Sequence, residues 1–462
     1  MAQLPGIIRR SFRRKSSKDS NQEISNGAKA AHPHHAATDQ RTAVLSGGQN
    51  FFEYLVVVSL KKTSAGGYAP QITYQFPKRE SLLSFQREEE ERLLKAIPVF
   101  CFPEGNNWTP LTEYTSETFS FVLTNVDSSR KFGYCRRLLP SGKGPRLPEV
   151  YCIISCLGCF GLFAKILDEV EKRRQIATAV IYPFMQGLRE ATFPEPGKTV
   201  KIKSFIPGSG TEMIELTRPL DSRLEHVDFK TLLQCLSAKK ILHIFASVVL
   251  ERRIIFVAKD LSVLSQCIHA VAALLYPFTW EHTFIPVLPP ALIDTVCCPT
   301  PFIVGVQKQF IDLIWDLPME EVLVVDLCDG KLLRTVGDEE ELLPRKLEDH
   351  MITSLLGQQQ VPQSSEELNK GISEMFMEFF IKVIGHYSSH FKTGKGGVRA
   401  FQEKSFLKAM PSKSIRRFLK LFVRTQMFSI LIQAAEKTTE VQDGYFHRKI
   451  QEFHEHKKMN KK

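Results

Sequence analysis

The feature that most restricts the fold of this chain is a change of hydrophobic rhythm across a Gly/Pro-rich stretch at residues 140–148. Before it, 51–60 is an apolar run, 72–76 alternates, and 118–125 sets Phe119, Phe121 and Leu123 against Ser120 and Thr124. Alternation at period two predicts half-buried strands. The turn Asp127-Ser128-Ser129-Arg130 leads into 131–139, so an antiparallel hairpin is the simplest pairing. A charged helix is expected over 80–95, ending before Pro98.

After the stretch the order becomes strand, helix, strand. Residues 151–155 read as a buried strand, and 160–174 place Phe163, Ile166, Leu167 and Val170 on one helical face. Asp228 and Ser237 stand where caps would open helices ending near Leu250. Next come a strand over 252–258, a helix over 261–275 stopped at Tyr276-Pro277, and strands over 284–288 and 302–306. Such alternation predicts a parallel sheet covered by helices. A hairpin follows, 322–327 to 331–336 through Asp329-Gly330. The remainder reads as mostly helix, chiefly 372–387 and 414–435, with a Gln/Pro/Ser linker at 357–365. The expected fold class is α/β.

At 462 residues the chain is too long for one ordinary domain, and 33 Phe supply ample core material. Its net charge of +11 suggests a polyanion partner until the charges are placed. Residues 1–50 carry eight Lys/Arg against three Asp/Glu, and 443–462 carry six against three. Only +3 is left for 51–442, so no nucleic-acid partner is expected. Residues 1–50 hold a single aromatic, Phe12, and read as a disordered basic tail; 443–462 read as a second basic tail. In the first, Arg9, Arg10, Arg13, Arg14 and Lys15 surround Ile7, Ile8 and Phe12, a pattern suited to peripheral contact with an anionic membrane at about 1 kcal/mol per basic residue. A solvated arm, or a kinase target at Ser16 or Ser17, fits the same residues. Ten cysteines with no apolar leader suit a reducing, cytoplasmic setting, and no window is apolar enough for a transmembrane span.

Catalytic and ligand motifs are missing where they would be sought. Gly197-Lys198-Thr199 lacks the upstream glycine of a phosphate loop, since position 192 is Thr, and Pro207-Gly208-Ser209-Gly210 reads as a plain turn. Cys152, Cys156 and Cys159 fall short of the four ligands of a structural zinc site and read as core thiols, so neither a metal nor another cofactor is expected. His243, His269 and His282 have no recognisably spaced nucleophile or carboxylate, and no catalytic residue is assigned.

Three apolar-plus-proline strings carry a family resemblance. Residues 97–105 (Ile-Pro-Val-Phe-Cys-Phe-Pro-Glu-Gly), followed by Trp108, resemble the upstream element of DENN-domain proteins. Residues 250–256 (Leu-Glu-Arg-Arg-Ile-Ile-Phe), 261–265 (Leu-Ser-Val-Leu-Ser), 273–289 with Trp280 and His282, and 299–306 (Pro-Thr-Pro-Phe-Ile-Val-Gly-Val) resemble the central element in order and spacing. Residues 418–428 resemble the closing helix of the downstream element. The resemblance spans about 51–442 and is nearest to the type 2 group of DENN domain-containing proteins. It implies a bilobed tripartite DENN module: a longin-like N-terminal lobe, then an α/β lobe ending in helices. It places upstream, central and downstream parts at 51–200, 220–353 and 355–442.

The resemblance further implies guanine-nucleotide exchange on a Rab GTPase, of the ninth group for type 2 proteins, without covalent chemistry. A non-catalytic scaffold that binds a small GTPase is the alternative, since fold does not fix activity. Expected contact candidates are Trp280, His282 and Asp294 on proline-rich loops, and Arg416, Arg417, Lys420 and Arg424 on a basic helical face. Equally, the loops pack a sheet edge and the basic face is merely solvated. Arg252 and Arg253, entering a buried strand, read as structural.

Overall fold

The computed structural model describes residues 50–64, 66–78, 84–125, 129–219, 228–394, 399–437 and 444–459. The membrane-contact candidates Arg9, Arg10, Arg13, Arg14 and Lys15 lie outside the described residues, as do Asp127 and Ser128 of the expected turn.

Strands β1 (Tyr54–Lys62), β2 (Tyr68–Phe76), β3 (Glu117–Thr124), β4 (Arg130–Leu138) and β5 (Glu149–Ser155) form an antiparallel sheet in the order β2-β1-β5-β4-β3. The β3–β4 hairpin is the one its alternation predicts. Residues 151–155, in contrast, read as the first strand of the parallel region, yet β5 lies inside this first sheet. Both of its faces are apolar, Val150, Cys152 and Ile154 against Tyr151 and Ile153, and only a central strand covers both. A separate ribbon, β6 (Thr199–Ile206) with β7 (Gly210–Thr217), turns through Pro207-Gly208-Ser209.

The second sheet contains β8 (Arg253–Ala258), β9 (Thr283–Ile285), β10 (Phe302–Gln307) and β11 (Val322–Asp326), parallel in the order β11-β8-β10-β9. Strand β12 (Lys331–Arg334) pairs antiparallel on the β11 edge. This is the expected parallel sheet with the expected hairpin at its margin.

The period of two sorts the core into layers. Leu55, Val57, Tyr151 and Ile153 face helices Phe160–Ile176 and Ile181–Glu190. Tyr54, Val56, Cys152 and Ile154 share a middle core with helix Ser84–Cys101 and with Ile255, Val257 and Val304 of the second sheet. The far face, with Ile254, Phe256, Ile303 and Leu323, packs against helices Ala238–Val249, Leu261–Ala273 and Ser365–Ile384. The molecule is therefore a bilobed α/β module whose lobes share the middle core. Ser120 N donates to Ser265 Oγ at 3.3 Å, and Ser262 N to Glu117 Oε1 at 2.9 Å, across the same junction.

Four expectations need correction. The helix at 80–95 runs through Pro98 to Cys101. An interior proline costs about 3 kcal/mol, but the fully buried Ile97 and Phe100 each contribute about 1.5–3 kcal/mol. The linker at 357–365 shrinks to four residues, because helix Arg345–Gln360 continues and Ser364 opens helix Ser365–Ile384 through a capping box with Glu367. The helix expected over 414–435 is two, Lys413–Phe422 and Gln426–Lys437, bent by 85°. Finally, much of the C-terminal basic tail forms helix Tyr445–Met459, which buries Phe446 and Ile450.

Of the expected caps, Asp228 accepts from Lys230 N at 2.9 Å, whereas Ser237 holds the cap position without a side-chain bond. No single helix among the described residues is long and apolar enough to cross a membrane.

Candidate functional site

The central and downstream strings meet at Glu251, in the turn between helix Ala238–Val249 and β8. Its φ of +53° is a left-handed conformation that costs a non-glycine residue about 1–3 kcal/mol. The turn aims the carboxylate at the break in the downstream helices. There it accepts from Gln426 N and Met427 N, both at 2.8 Å, and caps helix Gln426–Lys437 from 175 residues away. His282 Nε2 approaches the same carboxylate to 3.1 Å. Thr425 Oγ1 receives Phe428 N at 3.3 Å and completes the helix start.

Burial raises the Glu251 carboxyl, but His282 and the two backbone N–H groups outweigh it and hold the group below its ordinary range. A folded-state value that is depressed contributes stability above the unfolded value, lost as pH falls through the folded one. Glu251→Ala is therefore expected to cost about 2 kcal/mol at neutral pH, by orphaning two N–H groups. In urea titrations the gap from the native chain should narrow as pH falls below the ordinary carboxylate range; a gap that stays constant would contradict the cap.

The structure distributes the sequence-predicted contact residues unevenly. Trp280 is only 1% exposed; its Nε1 donates to Thr283 O at 3.0 Å and its carbonyl accepts from Arg130. The expectation that its indole meets a partner is thus corrected, because the ring is an internal strut of the 276–289 loop. His282 is largely buried beside Glu251. Asp294 is exposed on the 3-10 turn Pro290–Cys297. Arg416 is turned inward onto Met410 O at 2.7 Å, and Arg417 pairs with Glu341 at 3.0 Å. Lys420 and Arg424 are exposed and make no ion pair among the described residues. Glu251 thus ties the His282 loop to the helix that follows Arg424.

Arg252 and Arg253 are structural, as expected: the first makes a fork to Asp338 at 2.6 and 2.7 Å, the second reaches Glu321 at 3.3 Å. His243 is buried 3.6 Å from Glu348, with its pKa lowered chiefly by burial. His269 lies among aromatic rings, 4.2 Å from Phe160 and 5.3 Å from Phe284. Both are buried in the core. The trio Cys152, Cys156 and Cys159 does not converge: Cys156 is exposed and bonds Glu53 at 2.9 Å, and Cys159 precedes helix Phe160–Ile176.

Sequence reasoning missed the polar pin between the sheets. Arg137, its side chain 3% exposed, makes a fork to Glu104 at 2.7 and 3.0 Å and donates to Cys101 O at 2.9 Å. Its guanidinium lies 5.1–5.4 Å from the rings of Phe102, Trp108 and Phe119. Gln307, ending β10, donates to the same Glu104 at 3.2 Å. The only sequence signal was that Phe102, Glu104 and Trp108 share one distinctive string.

What this arrangement offers is a two-sheet body with exposed loops and exposed basic helix ends, among them the end of helix Lys413–Phe422 at Lys420. Family models match it in three segments: uDENN domain at residues 70–138, DENN (AEX-3) domain at 146–330, and dDENN domain at 401–449. The chain is 65% identical to DENN domain-containing protein 2D of Homo sapiens over 90% of its length and 88% of that protein. Its identity to the Mus musculus counterpart is 64%, covering 90% and 89%. DENN domain-containing protein 2B of Homo sapiens is 54% identical over 88% of this chain, but only 36% of that longer protein is covered. The chain belongs to the DENN-domain family, within its type 2 group.

Proposed function

We propose that this protein is a guanine-nucleotide exchange factor that replaces GDP by GTP on a Rab GTPase of the ninth group, in traffic between late endosomes and the Golgi. The observation that carries the reading is the complete upstream, central and downstream order in one chain, matched over nearly the full length of its 2D relatives. The β2-β1-β5-β4-β3 order supports a longin-like first lobe. Exchange needs no nucleophile from this protein. It must bind the nucleotide-free GTPase more tightly than the loaded one, and by linkage the same factor weakens GDP binding. Exposed Asp294, Lys420 and Arg424 serve as the polar anchors of that contact, and Arg9, Arg10, Arg13, Arg14 and Lys15 add peripheral attachment to an endosomal or Golgi membrane from the cytoplasmic side.

Release of fluorescent GDP from a purified Rab panel tests this. Catalytic amounts should accelerate release from one Rab group. Lys420→Glu combined with Arg424→Glu should reduce that acceleration at least tenfold, with an unchanged melting temperature. If nucleotide-free Rab is captured without acceleration, the protein is a scaffold; if no Rab is captured either, the partner class is wrong.

A further inference from the structure

One cluster of chemically competent side chains plays no part in the surface described above. Cys101 ends helix Ser84–Cys101, while Cys135 on β4 and Cys152 on β5 stand opposite each other in the strand register. All three are fully buried in the middle core. Their Sγ atoms lie within 4.8 Å of one another, with Cys101 and Cys135 3.9 Å apart. Among the described residues this is the one such group of three metal-ligating side chains.

Metal–thiolate bonds are about 2.3 Å long, so a planar three-coordinate centre sets its sulfurs about 4 Å apart. The 3.9 Å between the Cys101 and Cys135 sulfurs is that spacing, and the Cys152 sulfur lies within 4.8 Å of both. The geometry points to a site for a soft monovalent ion, Cu(I), held by the sulfurs of Cys101, Cys135 and Cys152. The choice of ion follows from the donors. Thiolates select soft ions such as Cu(I) and zinc, but structural zinc requires four ligands. Here the surroundings are apolar, with Phe100, Phe121, Val150 and Ile154 in the same core.

Charge favours loading. Burial raises the Cys101 thiol, but hydrogen bonds from Cys135 and Cys152 and the nearby Arg137 guanidinium outweigh it and hold Cys101 below the ordinary thiol range. Burial pushes Cys135 and Cys152 upward. Each thiol that binds Cu(I) as a thiolate gives up its proton to solvent, and Arg137, which donates to Cys101 O, stands beside the cluster. Binding should weaken as pH falls, since protons compete for the same sulfurs.

The test uses the full chain, reduced and free of oxygen, with Cu(I) offered from a bicinchoninate complex. The near-ultraviolet Cu(I)–thiolate absorption and the melting temperature are followed together. One Cu(I) per chain is expected, with a higher melting temperature. Affinity should be retained when Cys156, Cys297, Cys298 and Cys328 are all changed to Ser. It should fall at least tenfold in Cys101→Ser, Cys135→Ser and Cys152→Ser, and equally in Cys135→Val, which keeps the core apolar if a serine variant does not fold. The proposal is overturned if the chelator strips Cu(I) from the native chain as readily as from Cys135→Val. It is overturned as well if binding disappears with the four surface-side thiols, which would make the ion adventitious.

Discussion

Arg137→Met is expected to lower the free energy of unfolding by about 3–5 kcal/mol, the usual cost of removing one partner from a buried ion pair. Methionine keeps an apolar stem among Phe102, Trp108 and Phe119 but removes the cation over three rings, each contact being worth about 0.5–2 kcal/mol. The larger loss is at Glu104. Its carboxylate, 18% exposed, would keep Gln307 and lose its fork, while Cys101 O would lose its donor. Burial works against the guanidinium charge, yet Glu104 more than restores it, so the cation is held firmly in the native state. A second variant separates lost charge from lost packing. Glu104→Gln combined with Arg137→Met leaves no unpaired charge and should recover at least 1 kcal/mol relative to Arg137→Met alone. Urea denaturation gives both numbers. A single-variant loss under 1 kcal/mol would show that the Arg137–Glu104 pair does not stabilise this part of the core.

Much of this architecture was legible because it is local. Period-two alternation located β3, the turn signal at Asp127-Ser128-Ser129-Arg130 led into β4, and the Asp329-Gly330 turn marked the β11–β12 hairpin. The parallel sheet followed from apolar runs spaced by helix-length segments. What was hidden depends on residues that sequence spacing does not relate. Pro98 reads as a helix stop because its local penalty is visible, whereas the burial of Ile97 and Phe100 behind it is not. The break at Thr425 reads as continuous helix because the carboxylate that caps the second half belongs to Glu251. Cys152 sits near Cys156 and Cys159 in sequence, but its strand partner is Cys135. At the surface the basic face showed its charges but not their partners. Arg416 is turned onto Met410 O and Arg417 is paired at the surface with Glu341, so Lys420 and Arg424 are the exposed cations of that face without an ion pair among the described residues.

Gly305→Ala is expected to destabilise the central lobe by at least about 3 kcal/mol, beyond the usual range for one added methyl group. A Cβ on Gly305 would lie 2.1 Å from Pro286 O, 2.7 Å from Ile268 and 2.8 Å from Leu264. The two side chains have some freedom to adjust. The carbonyl has none, because Ile285 is paired with Val304 in the sheet and Leu288 N donates to Gly305 O at 2.7 Å, fixing the backbone on both sides of Pro286. Gly133 makes a useful contrast. Its added Cβ would meet the Phe121 ring at 2.2 Å, which is a side chain and not backbone, so Gly133→Ala should cost less. Combining Gly305→Ala with Ile268→Val relieves one of the two side-chain clashes and leaves the carbonyl, so little stability should return. The consequence for function follows from what leaves this crossing: the chain passes over Gly305 and enters the turn that carries Asp294. A destabilised crossing should therefore lose the proposed exchange activity at temperatures where β1–β5 remain folded. Limited proteolysis would detect it as cleavage near 286–300. A variant that melts with the native chain and resists cleavage would show that this loop is not anchored by the close approach at Gly305.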